Sequence, residues 1–274
     1  MTHHICFIGG GNMASSLISG LINNQHAASD ITVTDPDQQK LDQLHQLYAV
    51  NTDIDNLHAI KNADVIVLAV KPQILKQVCE SLKDSICKSR PLIISIAAGI
   101  RSTDIDRWLG NNNAIVRCMP NTPALIQAGA TGLFANKNTL DEQKTTADNI
   151  LRSAGLTLWV ENEEQLDAIT AVSGSGPAYF FLFMEAMQKA GKELGLDEET
   201  AGLLAKQTAL GAARMALESE DDTTTLRTRV TSKGGTTAAA IASFENNHFS
   251  DIINQALTAA RDRAIELADE LGKN

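Results

Sequence analysis

Along the first half of the chain, short unbroken apolar runs alternate with stretches whose apolar residues recur at helical spacing. Ile5-Cys6-Phe7-Ile8 precedes an amphipathic segment over 13–21. In the same way 31–34 precedes 38–48, 64–70 precedes 74–82, and 91–96 precedes 103–109. Runs such as Val65-Ile66-Val67-Leu68-Ala69-Val70 suit strands covered by helices on both faces, so the alternation predicts a parallel α/β sheet. Strands over 114–118, 130–134 and 157–160 extend it, with a helix over 140–152 between the last two. From about 163 the pattern changes to Ala, Leu, Met and Glu at helical spacing, which predicts helices over 163–171, 177–194, 198–217, 224–230, 236–246 and 250–271. Pro177 at a helix start fits the first helical position, where a missing N–H costs nothing. The expected division is therefore an α/β domain over 1–162 and an all-helical domain over 163–274. Several of the later helices are apolar on more than one face, as at Ala201, Leu203, Leu204, Ala205, Ala209 and Leu210. Such helices must be buried, and a partner subunit is the readiest cover.

A length of 274 residues supports two domains, given the roughly 100–150 residues of a typical one. A net charge of −10, with no basic stripe to offset it, excludes nucleic acid as an expected partner. The four cysteines, Cys6, Cys79, Cys87 and Cys118, form no CxxC pair and are expected to be free thiols. The first strand begins within four residues, which leaves no room for a signal peptide, and the expected location is cytoplasmic. No apolar run approaches the roughly 20 residues that cross a bilayer. His3 and His4 precede a strand, where neighbours point to opposite faces, so no metal site is expected.

Chemistry enters at the end of the first run. Ile8 leads into Gly9-Gly10-Gly11-Asn12-Met13-Ala14 and then a helix, a GxGxxA turn suited to a dinucleotide pyrophosphate. Gly9 makes the tight turn, Gly11 lets backbone approach the phosphates, and Ala14 lets helix and strand pack closely. The helix offers free N–H groups and the positive end of its dipole. Glycine turns also serve plain strand-to-helix packing, but the second strand, ending in Asp35, follows in the order a dinucleotide fold requires. A second glycine turn, Thr231-Ser232-Lys233-Gly234-Gly235-Thr236-Thr237, precedes an alanine-rich helix. Capping explains one hydroxyl there, whereas four hydroxyls around a double glycine suit a bound carboxylate. Ser173-Gly174-Ser175-Gly176-Pro177 is a further small polar turn, read either as a hinge and cap or as a close approach to ligand.

Together with the turn at 9–13, the segments Ala69-Val70-Lys71-Pro72, Ser95-Ile96-Ala97-Ala98-Gly99, Arg117-Cys118-Met119-Pro120-Asn121-Thr122-Pro123, 172–179 and 230–238 resemble pyrroline-5-carboxylate reductase, in order and over nearly the whole chain. The resemblance implies a Rossmann-type mostly parallel sheet followed by a helical dimerisation domain. It also implies reduction of 1-pyrroline-5-carboxylate to L-proline by hydride from NADP(H) or NAD(H), the last step of proline biosynthesis. Carried over by motif, the cofactor meets Ile8, Gly9, Gly10, Gly11, Asn12, Met13, Asn56, Ala69, Val70, Lys71, Pro72, Ile96, Ala97 and Ala98, with Asp35 at the end of the second strand. The cyclic imine meets Glu220, Ser232, Lys233, Gly234, Gly235, Thr236 and Thr237, and Thr237, or Thr236, holds the ring nitrogen. The assembly implied is a homodimer through the helical domain, or a higher oligomer built from it.

Two positions depart from the family pattern. Lys233 stands where proline is common and would add a cation beside the substrate carboxylate. Asp35 stands where members using NADPH often have a small polar or basic residue. At ~4 Å from a 2′-phosphate, an Asp meets repulsion of about 4 kcal/mol per charge pair at an effective dielectric of about 20. With solvent between and twice the distance, the penalty falls below ~1 kcal/mol, so both nicotinamide cofactors stay open.

A protonated imine carbon already accepts hydride, so positioning is most of the catalytic task; good alignment at roughly 3–3.5 Å supplies up to about 7–11 kcal/mol. A β-hydroxyacid dehydrogenase shares the plan but needs a general acid, usually a lysine early in the long helix; 177–183 supplies none, so Lys233 would have to substitute. A non-catalytic dinucleotide sensor would keep the first glycine turn and have no reason for the second.

Overall fold

The computed structural model describes residues 3–272. The first elements are β1 (Ile5–Ile8), α1 (Asn12–Asn23), β2 (Ile31–Thr34), α2 (Gln38–Tyr48), β3 (Asn51–Asp53), α3 (Asn56–Ala59), β4 (Val65–Leu68) and α4 (Pro72–Ser89). Next come β5 (Leu92–Ser95), α5 (Ser102–Trp108), β6 (Ile115–Met119), β7 (Gly129–Ala135), α6 (Asp141–Arg152) and β8 (Gly155–Trp159). Among the described residues eight strands form one sheet in the order β3-β2-β1-β4-β5-β6-β7-β8, parallel as far as β6. β7 runs antiparallel to β6, and β8 pairs parallel with β7.

Side chains alternate across the strands, so β1 feeds two cores. Ile5 and Phe7 join Leu17, Ile18, Val33 and Val67 on one face, while Cys6 and Ile8 join Leu75, Cys79, Leu82 and Ile105 on the other. Both faces are covered, which is why the strands read as unbroken apolar runs. The strand order reverses at β1, between β2 and β4, and the pairing register puts Ile8 level with Thr34 and Leu68, and Leu68 level with Ser95. The segments that begin at Gly9, Asp35, Ala69 and Ile96 therefore leave the sheet together at the carboxyl ends of their strands, beside the switch point where open α/β sheets bind ligands.

Three features depart from the sequence-based expectation. β3 and α3 carry no apolar run, because β3 is an edge strand built from Asn51, Thr52 and Asp53. The sheet is antiparallel at its far side, since Pro120 to Ala128 brings the chain back beside β6 through a short 3-10 turn rather than a crossover helix. Finally, Ser173 to Pro177 is helical apart from a bend at Ser175. After α7 (Gln165–Ile169) the chain forms a π-helical turn, Thr170–Gly174, closed by a Ser175 N–H to Thr170 carbonyl bond of 2.8 Å, and Gly176 begins α8.

The helical segments are α8 (Gly176–Glu193), α9 (Glu198–Glu218), α10 (Thr223–Arg229), α11 (Thr236–Asn246) and α12 (Phe249–Gly272). The compact units are Met1–Ser175 with Ala260–Asn274, and Gly176–Ala259. They part at Gly176, whereas the expected boundary at 163 places α7 with the later helices. α7 stays with the sheet because Leu166 and Ile169 cover Gly132 of β7, where an added Cβ would lie 2.5 Å from Ile169. In the helical unit, α8 and α9 form a close antiparallel pair: a Cβ on Gly191 would meet that of Ala201 at 3.2 Å. Asp197 and Asp222 cap α9 and α10 by accepting the N–H groups of Thr200 and Thr225. Much of the apolar surface of these helices is uncovered within the chain, with Phe180 at 65% exposure, Phe181 at 63% and Leu217 at 84%. Among the described residues no helix is long and apolar enough to cross a membrane.

Candidate functional site

The first glycine turn is shaped by three different demands. Gly9 adopts φ +105°, and an added Cβ would lie 2.6 Å from the Ala69 carbonyl oxygen, so no larger residue fits. Gly10 donates its N–H to Asp35 Oδ2 at 3.0 Å. Gly11 is the N-cap of α1, and a Cβ there would meet nothing within 4 Å, which leaves the space in front of the turn open to a ligand. The first turn of α1 has no acidic residue and no side-chain cap. Because Ser15 is the first N–H bonded back to Gly11, those of Asn12, Met13 and Ala14 remain unclaimed by the helix. An open cradle at an uncapped helix N-terminus fits a pyrophosphate.

The other expected cofactor positions lie at the carboxyl ends of the neighbouring strands. Ala69 donates to the Ile8 carbonyl at 2.9 Å, Lys71 is the N-cap of α4, and Pro72 occupies its first turn. Asn56 Oδ1 accepts the Thr34 hydroxyl at 2.6 Å, which fixes the start of α3 against the end of β2. Ile96 donates to the Leu68 carbonyl at 3.2 Å and Ala97 to Ser95 Oγ at 3.4 Å, while Ala98 is exposed. Asp35 is buried with its carboxylate turned toward the glycine turn, where Oδ1 accepts the Asp37 N–H at 3.0 Å and pairs with Lys40 Nζ at 3.5 Å. That pairing partly neutralises the charge that the sequence alone set against a 2′-phosphate.

The second turn lies within the helical unit. Gly235 is the N-cap of α11 with no side-chain cap and no acid in the first turn, and the first N–H bonded back is that of Ala239. The N–H groups of Thr236, Thr237 and Ala238 are thus left over by the helix. Gly234 adopts φ +73°, a conformation that favours glycine, while a Cβ on Gly235 would lie 2.5 Å from Ser232 Oγ, a hydroxyl that would have to turn aside. One of the four hydroxyls is committed elsewhere, since Thr231 donates to the Arg227 carbonyl at 2.6 Å. Thr237 is half-buried, Ser232, Lys233 and Thr236 are exposed, and Glu220 lies exposed between α9 and α10.

Sequence reasoning missed the part played by Asn121. Its Oδ1 accepts the Ala130 N–H at 2.9 Å and its Nδ2 donates to the Ser173 carbonyl at 3.1 Å, joining the start of β7 to the π-helical turn. The signal was present in the Met119-Pro120-Asn121-Thr122-Pro123 segment, but its partners are distant in sequence. The cysteines contribute no chemistry to either turn. All four are free, and burial, with a smaller contribution from Asp53, pushes the Cys6 thiol up to about 12. The histidines near the N-terminus are used structurally, as where His3 Nε2 lies 3.3 Å from Thr146 Oγ1.

Comparison with known proteins accords with this geometry. A family model for NADP oxidoreductase, coenzyme F420-dependent, matches residues 4–99, and one for pyrroline-5-carboxylate reductase dimerisation matches residues 163–267. Pyrroline-5-carboxylate reductase of Pseudomonas aeruginosa is 50% identical over 272 residues, covering 99% of each chain. The structure of a pyrroline-5-carboxylate reductase from Coxiella burnetii superposes with a TM-score of 0.95 at 50% identity, over 98% of this chain and 99% of that one. The Plasmodium falciparum pyrroline carboxylate reductase, solved with NADP bound, gives 0.85 at 31% identity, over 97% and 98% of the two chains.

Proposed function

This chain belongs to the pyrroline-5-carboxylate reductase family, and from that premise we propose how its own residues reduce 1-pyrroline-5-carboxylate to L-proline in proline biosynthesis. One observation carries the residue assignment: the chain has two glycine turns, each at a helix N-terminus free of side-chain caps and of acidic residues in its first turn. Each suits one anion, and the reaction brings two, a dinucleotide pyrophosphate and a substrate carboxylate.

Gly9 to Met13 hold the pyrophosphate, with Ile8, Asn56, Ala69 to Pro72 and Ile96 to Ala98 along the same carboxyl-end face of the sheet. When bound, NADH or NADPH supplies the hydride. Asp35 faces Gly10 and Lys40, which is compatible with either nicotinamide cofactor. The Gly234 and Gly235 backbone grips the substrate carboxylate beside the Lys233 cation, with Glu220 as a further substrate contact. Thr237, or Thr236, hydrogen-bonds the ring nitrogen and steadies the proton that makes the imine carbon electrophilic. No His, Cys or Tyr is required as an acid.

The helical unit pairs two subunits through its uncovered apolar faces, and the dimerisation family match over 163–267 supports that reading. We place the protein in the cytoplasm, with a small cyclic imine and a second copy of itself as partners.

The test is oxidation of NADH and NADPH with pyrroline-5-carboxylate, beside hydroxyacids run in the reverse direction. Turnover of the imine and not of the hydroxyacids is expected, and the opposite pattern defeats the proposal. Thr237→Ala should lower kcat about 10- to 100-fold while cofactor Kd stays within about twofold. Undiminished turnover would remove Thr237 from the mechanism.

A further inference from the structure

Polar groups outside the positions assigned above, Ser102 and Arg117 buried among them, converge on one segment, 96–102, between β5 and α5. Its start is tied to the sheet through Ile96 and Ala97. Its end is tied by Glu163, whose Oε1 accepts the Ser102 N–H at 2.7 Å and whose Oε2 accepts the Ser102 hydroxyl at 2.6 Å. Glu163 is held in turn by Arg117 Nη1 at 3.1 Å, and the Arg117 side chain, on β6, is 5% exposed. A second carboxylate, Asp167, approaches the guanidinium at 3.7 Å. Glu163 is the closer of the two carboxylates to Arg117, and burial pushes the Asp167 carboxyl above its ordinary range despite Arg117 and Arg101. The same segment also meets α12, where Arg101 pairs with Asp269 at 2.7 Å and a Cβ on Gly99 would meet Leu267 at 3.4 Å.

A buried ion pair is weak evidence for stability, because desolvation offsets much of its attraction, and its best-attested use is to select one arrangement over others. Here the geometry selects strongly. A carboxylate with both oxygens on one serine and a buried guanidinium behind it has a single orientation. We propose that Glu163 is a positioning residue for hydride transfer: by clamping Ser102 to Arg117 it fixes where Ile96, Ala97 and Ala98 stand against the bound cofactor. This rests on the assignment of 96–98 to the cofactor. Glu163 itself touches neither reactant.

The experiment uses full-length Glu163→Gln, which keeps the size of the side chain and removes its charge, with Ser102→Ala and Ala98→Leu beside it. Cofactor Kd is read from NADPH fluorescence without imine, then kcat, the KM for imine and the unfolding temperature are measured. Glu163→Gln should raise cofactor Kd about tenfold and lower kcat, with the imine KM within about twofold. Ser102→Ala should shift the same constants in the same direction by less. A lower unfolding temperature or active fraction with unchanged Kd and kcat per active site would make Glu163 merely structural and overturn the proposal. If Glu163→Gln fails to fold, an unchanged Kd in Ser102→Ala overturns it instead. Ala98→Leu separates the two levels of inference. If it leaves Kd unchanged, the cofactor assignment of 96–98 fails; if it raises Kd while Glu163→Gln does not, only the clamp fails.

Discussion

Gly9 and Gly11 look equivalent in a GxGxxA string, yet opposite constraints act on them. Gly9 is required by the protein, with a positive φ and the Ala69 carbonyl where a Cβ would stand; Gly11 has open space and an ordinary N-cap conformation. Gly9→Ala should therefore cost more than ~2 kcal/mol of stability through backbone strain and displacement of β4's exit. Gly11→Ala should keep stability within ~1 kcal/mol while weakening cofactor binding at least about tenfold, because the methyl group occupies the approach to the pyrophosphate. Thermal unfolding and a cofactor titration on both variants check this; a Gly11→Ala protein with native affinity would move the phosphates elsewhere. Asp35 teaches a related lesson. Its position at the end of β2 was legible, but its orientation toward Gly10 and Lys40 is a side-chain choice made by contacts 25 and five residues away.

Element by element, legibility follows burial. β1, β2, β4 and β5 are covered on both faces and stand in the sequence as apolar runs, so their positions were readable within a residue or two. β3 has one neighbour in the sheet and no apolar signature, and a short α3 follows it, so both were unreadable. The direction of β7 was equally hidden, because an apolar strand has the same pattern whichever way it runs. The π-helical turn at Thr170–Gly174 overlaps the end of the helix expected over 163–171 and the start of the polar turn expected over 173–177, where glycine and serine punctuate the sequence. There Gly174 makes room for Met119, as an added Cβ would come within 2.6 Å of the Met119 methyl carbon. Asn121 connects that turn to β7, so Asn121→Ala should leave the Ala130 N–H and the Ser173 carbonyl without their partner and cost about 2–3 kcal/mol. Chemical denaturation measures it, and a loss below ~0.5 kcal/mol would mean that water replaces the amide.

For the molecule as a whole, the uncovered apolar helix faces have the clearest consequence. Leu203 and Phe181 are each 63% exposed within the single chain, a poor state for such side chains in water. Placing a charge there, as in Phe181→Glu with Leu203→Glu, should convert a dimer into monomers in sedimentation at micromolar concentration, and a persistent dimer would put the interface elsewhere. Apolar periodicity alone determined that there is a covered sheet, that helices follow it, and that two glycine turns open helices; these are local properties of spacing, and helix termini expose N–H groups whatever surrounds them. Only the folded chain decided the sheet's strand order, the reversal at β7, the inward turn of Asp35 and the Arg117–Glu163–Ser102 bridge. Each depends on groups brought together from distant points of the chain, and no local pattern encodes which of many possible partners will be within reach.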